Sequence, residues 1–443
     1  MNSKYYLLVT LIFLTCNTQP NPERQINIDG NSPNAHIIHG VNEQEIPIGS
    51  NTIAIVGARL IDGTGKPPLL NSVVIVKENT IWKVGKSGEI AIPSNAEIID
   101  GKGLTLLPGL IDAHFHLDGN SQFPNLFLRH GITSLRDPGA WIEAYSKVRE
   151  SGKSVPRLFL TGPHFDMPPP AYPKNSIIVR DPDEARIAVN IFADQGASAI
   201  KVYFRLPLAT IKEVCATAHQ RGIPVTAHLE ITNAMDAIEA GLDGIEHITS
   251  FGTALLPTIE AEAYKQSILA DNNARRNGRY NVWNAIDINS KKVDTLTSFL
   301  SRKETFVCPT LGTFEYRFGN GKQDSIKVTA FENMMTFVGK ANKSGVKIVV
   351  GSHSWVPYAE VGWAYQQEMI LLAESGLSNM EIIVAATMEN ARFFRIEDRL
   401  GSVEAGKQAD LLLIEGNPLE DLTAFYNVRK VLLNGVWVPD VED

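Results

Sequence analysis

Three cysteines in 443 residues are too few for a disulfide-stapled scaffold or a zinc-thiolate cluster. No polybasic run suggests a nucleic-acid surface, and the formal net charge of -8 argues against a nucleic-acid partner. No apolar run approaches the roughly 20 residues needed to cross a bilayer core. The leading run, Tyr5 to Thr15 behind Lys4, is too short to span and reads as an export signal over residues 1–16.

That segment ends in Phe13, Leu14, Thr15 and Cys16, which resembles a bacterial lipoprotein signal with Cys16 as the lipidated first residue of the mature chain. The expected location is periplasmic or cell-surface, tethered to the membrane only through that anchor; simple secretion is the alternative. Residues 17–50, rich in Asn, Pro, Gln and Gly without a sustained period, read as a tether or irregular arm. His36 and His39 are expected there at the surface. Cys215, on an expected helix, and Cys308, in an apolar strand, read as buried thiols.

Hydrophobic residues at 44% and charged residues at 20% describe an ordinary globular body. Short β-branched runs with Gly turns occur in 52–104 and return in 403–438. The economical proposal is that both ends of the chain pair into one small β-sandwich domain. Between them, 105–402 alternates apolar strands with helical patterns, the sequence sign of βαβ units. The strands are expected at the run ending in His114 and His116, then at 131–137, 156–164, 198–204, 222–228, 241–247, 304–311 and 345–353. Eight such units make a (β/α)8 barrel. A proline-rich loop, 163–174, and a long polar helical insertion, 253–300, are placed to line or cover a pocket at its C-terminal rim.

The chemistry-bearing stretch is LPGLIDAHFHLDGN, ending at Asn120. Side chains two apart on a strand share a face, so His114 and His116 form a two-tooth chelate. A lone His-x-His also fits two structural histidines. However, His228 ends the fifth strand, His247 ends the sixth and Lys201 lies in the fourth. Four of the ten histidines thus fall at one end of successive strands, where barrel sites form, and imidazole suits zinc, iron, nickel or copper better than magnesium or calcium.

With LPGLIDAHFHLDG, GITSLRDPG, IKVYFRLP, GIPVTAHLE, GLDGIEHITS and the closing ATMENARFFRIEDRLGSVEAGKQADLLLIEGNPLED, the chain from about 52 to 438 resembles the amidohydrolase superfamily. Within it, the imidazolonepropionase-like and Xaa-Pro-dipeptidase-like branch is the nearest match. The resemblance implies two divalent metal ions, zinc by preference. His114 and His116 would hold the first, a carboxylated Lys201 would bridge, and His228 and His247 would hold the second. It implies hydrolysis of an amide, cyclic amide or dipeptide-like bond of a small-molecule substrate by metal-activated water; the oligomeric state is left open, a homo-oligomer included.

One departure stands out. The family ends strand eight with Gly-Thr-Asp, whose aspartate binds metal and shuttles protons, whereas this chain reads Gly351, Ser352, His353. Three readings follow: His353 takes over as ligand and base; another acid such as Asp137 or Asp166 serves; or hydrolysis is lost and the protein is a lipoprotein that binds a solute or partner. His164, Tyr203 and Arg205 are candidate substrate contacts, Arg205 through its planar fork for a carboxylate. Trp355, Tyr358 and Trp363 are candidates for an apolar wall, and His130 and His219 read as structural.

Overall fold

A computed structural model describes residues 37–318 and 324–439; the expected signal, Cys16, His36 and the first part of the arm lie outside them. The fold is a (β/α)8 barrel beside a small β-sandwich. The barrel strands are Leu110–Asp112, Ile132–Asp137, Arg157–Leu160 with its continuation His164–Asp166, Ile200–Val202, Val225–Ala227, Gly244–Glu246, Phe306–Cys308 and Lys347–Ile348. All pairs between them are parallel. The ring closes through Ala113 N donating to Val350 O at 2.9 Å and Ser198 N donating to Leu160 O at 2.8 Å. Apolar runs such as Leu110–Asp112 are buried on both faces, as a parallel sheet wrapped by helices requires.

Two of these strands are much shorter than the apolar runs at 304–311 and 345–353 suggest. Each run ends in a left-handed turn, at Thr310 (φ 48°) close after the seventh strand and at His353 (φ 58°) further past the eighth. A left-handed residue cannot continue a β-ladder, so the run bends and aims its side chains at the barrel mouth.

The second sheet has the order Val436–Trp437, Val428–Leu433, Leu411–Glu415, Leu104–Pro108, Thr52–Leu60, Leu69–Lys77, Thr80–Lys86, with Glu97–Asp100 also pairing to Thr52–Leu60. The two chain ends meet where Leu411–Glu415 runs antiparallel to Leu104–Pro108, the strand that leads into the barrel. Alternation decides the faces: Leu411 and Leu413 enter the small sheet's own core with Leu106 and Val74. Leu412 and Ile414 instead join the main core around the barrel.

Of the two readings of the segment before the first strand, residues 37–50 follow the irregular arm, packed on the barrel rather than free as a tether. Val41 N donates to Leu158 O at 2.9 Å, Asn42 bonds Pro156 O and Leu158 N at 2.9 Å each, and Ile38 and Ile46 are buried. Two of the segment's four isoleucines and its one asparagine give it something to bury and bond, which its polar composition conceals; His39 is exposed. Nearby, Arg157 joins barrel, arm and sandwich. Its guanidinium donates to both Asp410 oxygens, at 3.0 and 3.1 Å, and to Asn434 Oδ1 at 3.1 Å, and it faces Glu43 at 3.5 Å. Asp410→Ala leaves this buried cation short of its main counter-charge and is expected to cost about 3 kcal/mol. Denaturant unfolding against the parent checks it; a loss under about 0.5 kcal/mol, the range of ordinary surface substitutions, would refute the role.

The insertion is helical, with Thr258–Ala270, Ala274–Ala285 and Lys291–Arg302 as its main helices. Cys215 lies in helix Leu208–Gln220 and Cys308 in the seventh barrel strand; both thiols are free and buried.

Candidate metal and substrate site

At the C-terminal mouth of the barrel, a cavity of about 320 Å3 is lined by His114, His116, His164, Lys201, Tyr203, His228, His247 and His353. All of these are residues that the sequence singles out. The first strand and the eighth are locked together below it. Asp112 Oδ1 accepts from His114 N at 3.0 Å and Ser352 N at 2.9 Å, His353 N donates to His114 O at 2.6 Å, and Ser354 Oγ accepts from His116 N at 2.6 Å. Gly351 permits this approach: a Cβ there would stand 2.5 Å from Cys308 Sγ and 2.6 Å from His114 Cβ. The backbone is left-handed at His247 (φ 64°), His353 and Ser354 (φ 60°), conformations that cost non-glycine residues about 1–2 kcal/mol each and cluster at functional sites.

Polar partners orient four of these imidazoles. His114 Nδ1 donates to the buried Glu246 carboxylate, leaving Nε2 bare, 3.1 Å from His116 Nε2. Behind His116, Nδ1 faces Asp137 Oδ1 at 3.4 Å. His247 Nδ1 donates to Thr310 Oγ1 at 2.7 Å, whose own hydroxyl donates to Pro309 O. His228 Nε2 bonds Glu230 Oε1 at 3.1 Å, and its Nδ1 is buried without a partner. Such backing of histidines by carboxylates and hydroxyls is how ligating imidazoles are oriented. His114, His116 and His353 bring ligand nitrogens within 4.8 Å of one another.

Lys201 is 1% exposed, and its amine has no hydrogen-bond partner; Glu246 Oε1 is 3.8 Å away. Burial pushes the Lys201 amine down to about 8 despite that carboxylate. Burial alone would raise Glu246, but Lys201 and His114 hold it down to about 2. Burial also takes His114 down to about 4 and holds His228, His247 and His353 well below the usual histidine range. His116 goes the other way: burial would lower it too, but the Asp137 carboxylate behind it raises it. The set is therefore one of four imidazoles biased neutral and one biased toward its charged form, around an amine biased toward its neutral form. These residues fit a site for soft-to-borderline divalent ions.

Other expectations sort differently. His164 lies in the cavity wall, stacked on Tyr203 with centroids 4.5 Å apart. Arg205 does not face the cavity: it donates to Asn272 Oδ1 at 2.7 Å and to the carbonyls of Ile268 and Leu269 at 2.8 and 3.2 Å. The carbonyls at a helix C-terminus lack intrahelical donors, and this guanidinium satisfies them. Asp137 is spent on Leu117 N, Ala140 N and Tyr145 Oη. Asp166 is spent on the backbone of Met167, Ala171 and Arg205, so neither acid reaches the cavity. Trp355 and Tyr358 stand outside it and Trp363 stacks on His130 at 3.6 Å; Tyr172, Tyr203 and Phe314 supply the aromatic wall instead. His130 and His219 also lie outside, the latter bonded to Asp243.

Sequence reasoning missed Glu246 and the arginines 275, 276 and 279, which line the cavity from the insertion. Their available signal was the absence of any acidic residue between Asp271 and Asp287.

Fold and site together define a barrel protein with a histidine-lined mouth whose donors fit metal ions. Within that class the chain belongs to the amidohydrolase family, whose model matches residues 105–438. An enamidase from Eubacterium barkeri is 22% identical over 231 residues, 46% of this chain and 59% of the enamidase. An imidazolonepropionase from Idiomarina loihiensis is 30% identical over 110 residues, 24% of this chain and 27% of the relative. The chain thus spans less than two thirds of the length of these curated relatives. Among solved structures, a prolidase-like protein from Bifidobacterium longum is 25% identical with a TM-score of 0.68, over 88% of this chain and 95% of the other. A Xaa-Pro dipeptidase with methionine in its active site is 23% identical with a TM-score of 0.67, over 87% and 99%; that likeness shows the fold.

Proposed function

We propose that the protein is a metal-dependent hydrolase that cleaves a carbon-nitrogen bond, amide, cyclic amide or dipeptide-like, in a small substrate. The observation that carries this reading is the Lys201 amine, buried without a hydrogen bond amid imidazoles with bare nitrogens. A buried ammonium is costly, and a shift from 10.5 to about 8 raises the neutral fraction at pH 7 by roughly a hundredfold or more. A neutral amine can add to carbon dioxide: the N–C bond forms, one proton leaves, and an anionic carbamate replaces a would-be cation.

Two divalent ions, zinc by the donor chemistry, would be held by His114 and His116, by His228 and His247, and by carboxylated Lys201 between them. Such ions lower the pKa of water and polarise a carbonyl oxygen. Glu246 keeps His114 in the tautomer that offers Nε2, and Asp137 orients His116. His353, neutral at pH 7, takes the proton released as water adds to the carbonyl carbon, and returns it to the nitrogen as the C–N bond breaks. Loss of a solute-binding lipoprotein's rival claim follows if turnover is found.

Elemental analysis of the signal-free chain, purified without chelator, tests the proposal together with a screen of dipeptides, acylated amino acids and cyclic amides. About two ions per chain and turnover abolished by chelation are expected. Equal turnover after complete demetallation would refute it.

A further inference from the structure

Arg275, Arg276 and Arg279 project from the start of helix Ala274–Ala285 into the cavity that the histidines line. Their placement is unfavourable for the helix itself, since cations oppose the positive end of the helix dipole and no acidic residue occupies the first turn. Among the described residues, no carboxylate comes within 4.0 Å of any of the three. Arg275 is 4% exposed, donates to Tyr172 Oη at 3.1 Å, and keeps a buried Nε without a partner. Arg279 spends one donor on Arg275 O and lies over the Phe314 ring at 5.2 Å.

The acids nearest this cluster are accounted for. Glu230 is buried and bonded to Tyr264 Oη and His228, and Asp118 lines the cavity from the exposed end of the first strand's loop. Glu230 offsets part of the charge of Arg275 and Arg279 from beyond ion-pair distance, but the geometry leaves guanidinium donors unanswered. The fold holds them there on purpose-built contacts: Arg205 clamps the end of the preceding helix, Thr258–Ala270, and so fixes the turn from which Arg275 emerges. An aromatic path connects the two ends of the cavity, with His228 to Tyr203 at 4.8 Å, Tyr203 to Tyr172 at 5.8 Å, and Arg275 over Tyr172 at 5.4 Å.

Resting on the hydrolase reading for the histidine end, we infer that Arg275, Arg276 and Arg279 form a carboxylate seat, which selects N-acyl amino acids and dipeptides with a free carboxylate over neutral amides. The guanidinium fork matches the planar carboxylate, and a charge-assisted bond in a partly desolvated site is stronger than a neutral one.

Calorimetry with N-acetyl-L-phenylalanine and its neutral C-terminal amide tests this on the full chain, as purified and after chelation. The acid is expected to bind about tenfold more tightly or better, in both preparations. Arg279→Gln, and separately Arg276→Gln at the exposed rim, should each erase most of that preference. Equal binding of acid and amide, a preference that vanishes on chelation, or a preference that survives both substitutions would overturn the assignment. So would inorganic phosphate binding more tightly than the acid and depending on the same arginines. Because binding needs no turnover, a preserved preference with no hydrolysis across the screen of dipeptides, acylated amino acids and cyclic amides refutes the hydrolase reading alone, and rapid hydrolysis without preference refutes the seat alone.

Discussion

Lys201→Met is expected to lower turnover by about three orders of magnitude and to reduce the bound metal to one ion per chain or fewer, with the fold retained. Methionine is close to lysine in length; it removes the amine and puts a thioether sulfur in place of a methylene. Metal assistance contributes several kcal/mol of transition-state stabilisation, and about 4 kcal/mol corresponds to three decades in rate. The fold should survive because Glu246, the carboxylate left behind, still accepts from His114 Nδ1 and from Thr226 Oγ1 at 2.9 Å. In chelated protein, parent and variant should therefore melt within a few degrees of each other. Added zinc and bicarbonate should raise the melting temperature of the parent alone, since only a chain that binds the ion gains stability from it. A variant that keeps two ions and full turnover would show that Lys201 is an ordinary barrel lysine.

That experiment also separates what could be read in the chain from what could not. The histidines were legible because each closes an apolar run whose period and turn signals identify a strand, and barrel geometry then fixes which end they share. Glu246 was not, although it adjoins His247. Its partners His114, Lys201 and Thr226 come from three other strands, and only closure of the barrel turns a glutamate in an apolar run into the carboxylate beneath the site. Arg205 and Arg275 exchanged roles for a similar reason. The first follows a barrel strand, where substrate contacts are expected, yet the C-terminal carbonyls of an inserted helix capture it. The second lies deep in that insertion, whose docking over the mouth has no local signature. Fold class follows from periodicity; the assignment of polar side chains to cavity or scaffold depends on loop packing.

His353 is where sequence and site meet most directly. With φ at 58°, the position tolerates asparagine and aspartate better than alanine, so His353→Asn is the cleaner control: it keeps the turn and removes the base. Loss of general base catalysis is expected to lower kcat by about 100-fold to 10,000-fold. His353→Asp restores a carboxylate and should hydrolyse the same substrates at a rate within about tenfold of the parent. The pH profile distinguishes the two bases. Burial and the facing His116 and His114 hold the His353 imidazole well below its ordinary 6.5, so the group is unprotonated at neutral pH, and activity should fall only as acidity passes well below pH 6.5. If instead the parent is inert, binds metal, and gains turnover through His353→Asp, the natural chain is a solute-binding member of a hydrolase family. The strained, tightly locked loop that carries His353 argues for the first outcome, because a position without a role would have no need of the Ser352, Ser354 and Asp112 bonds that hold it beside His114 and His116.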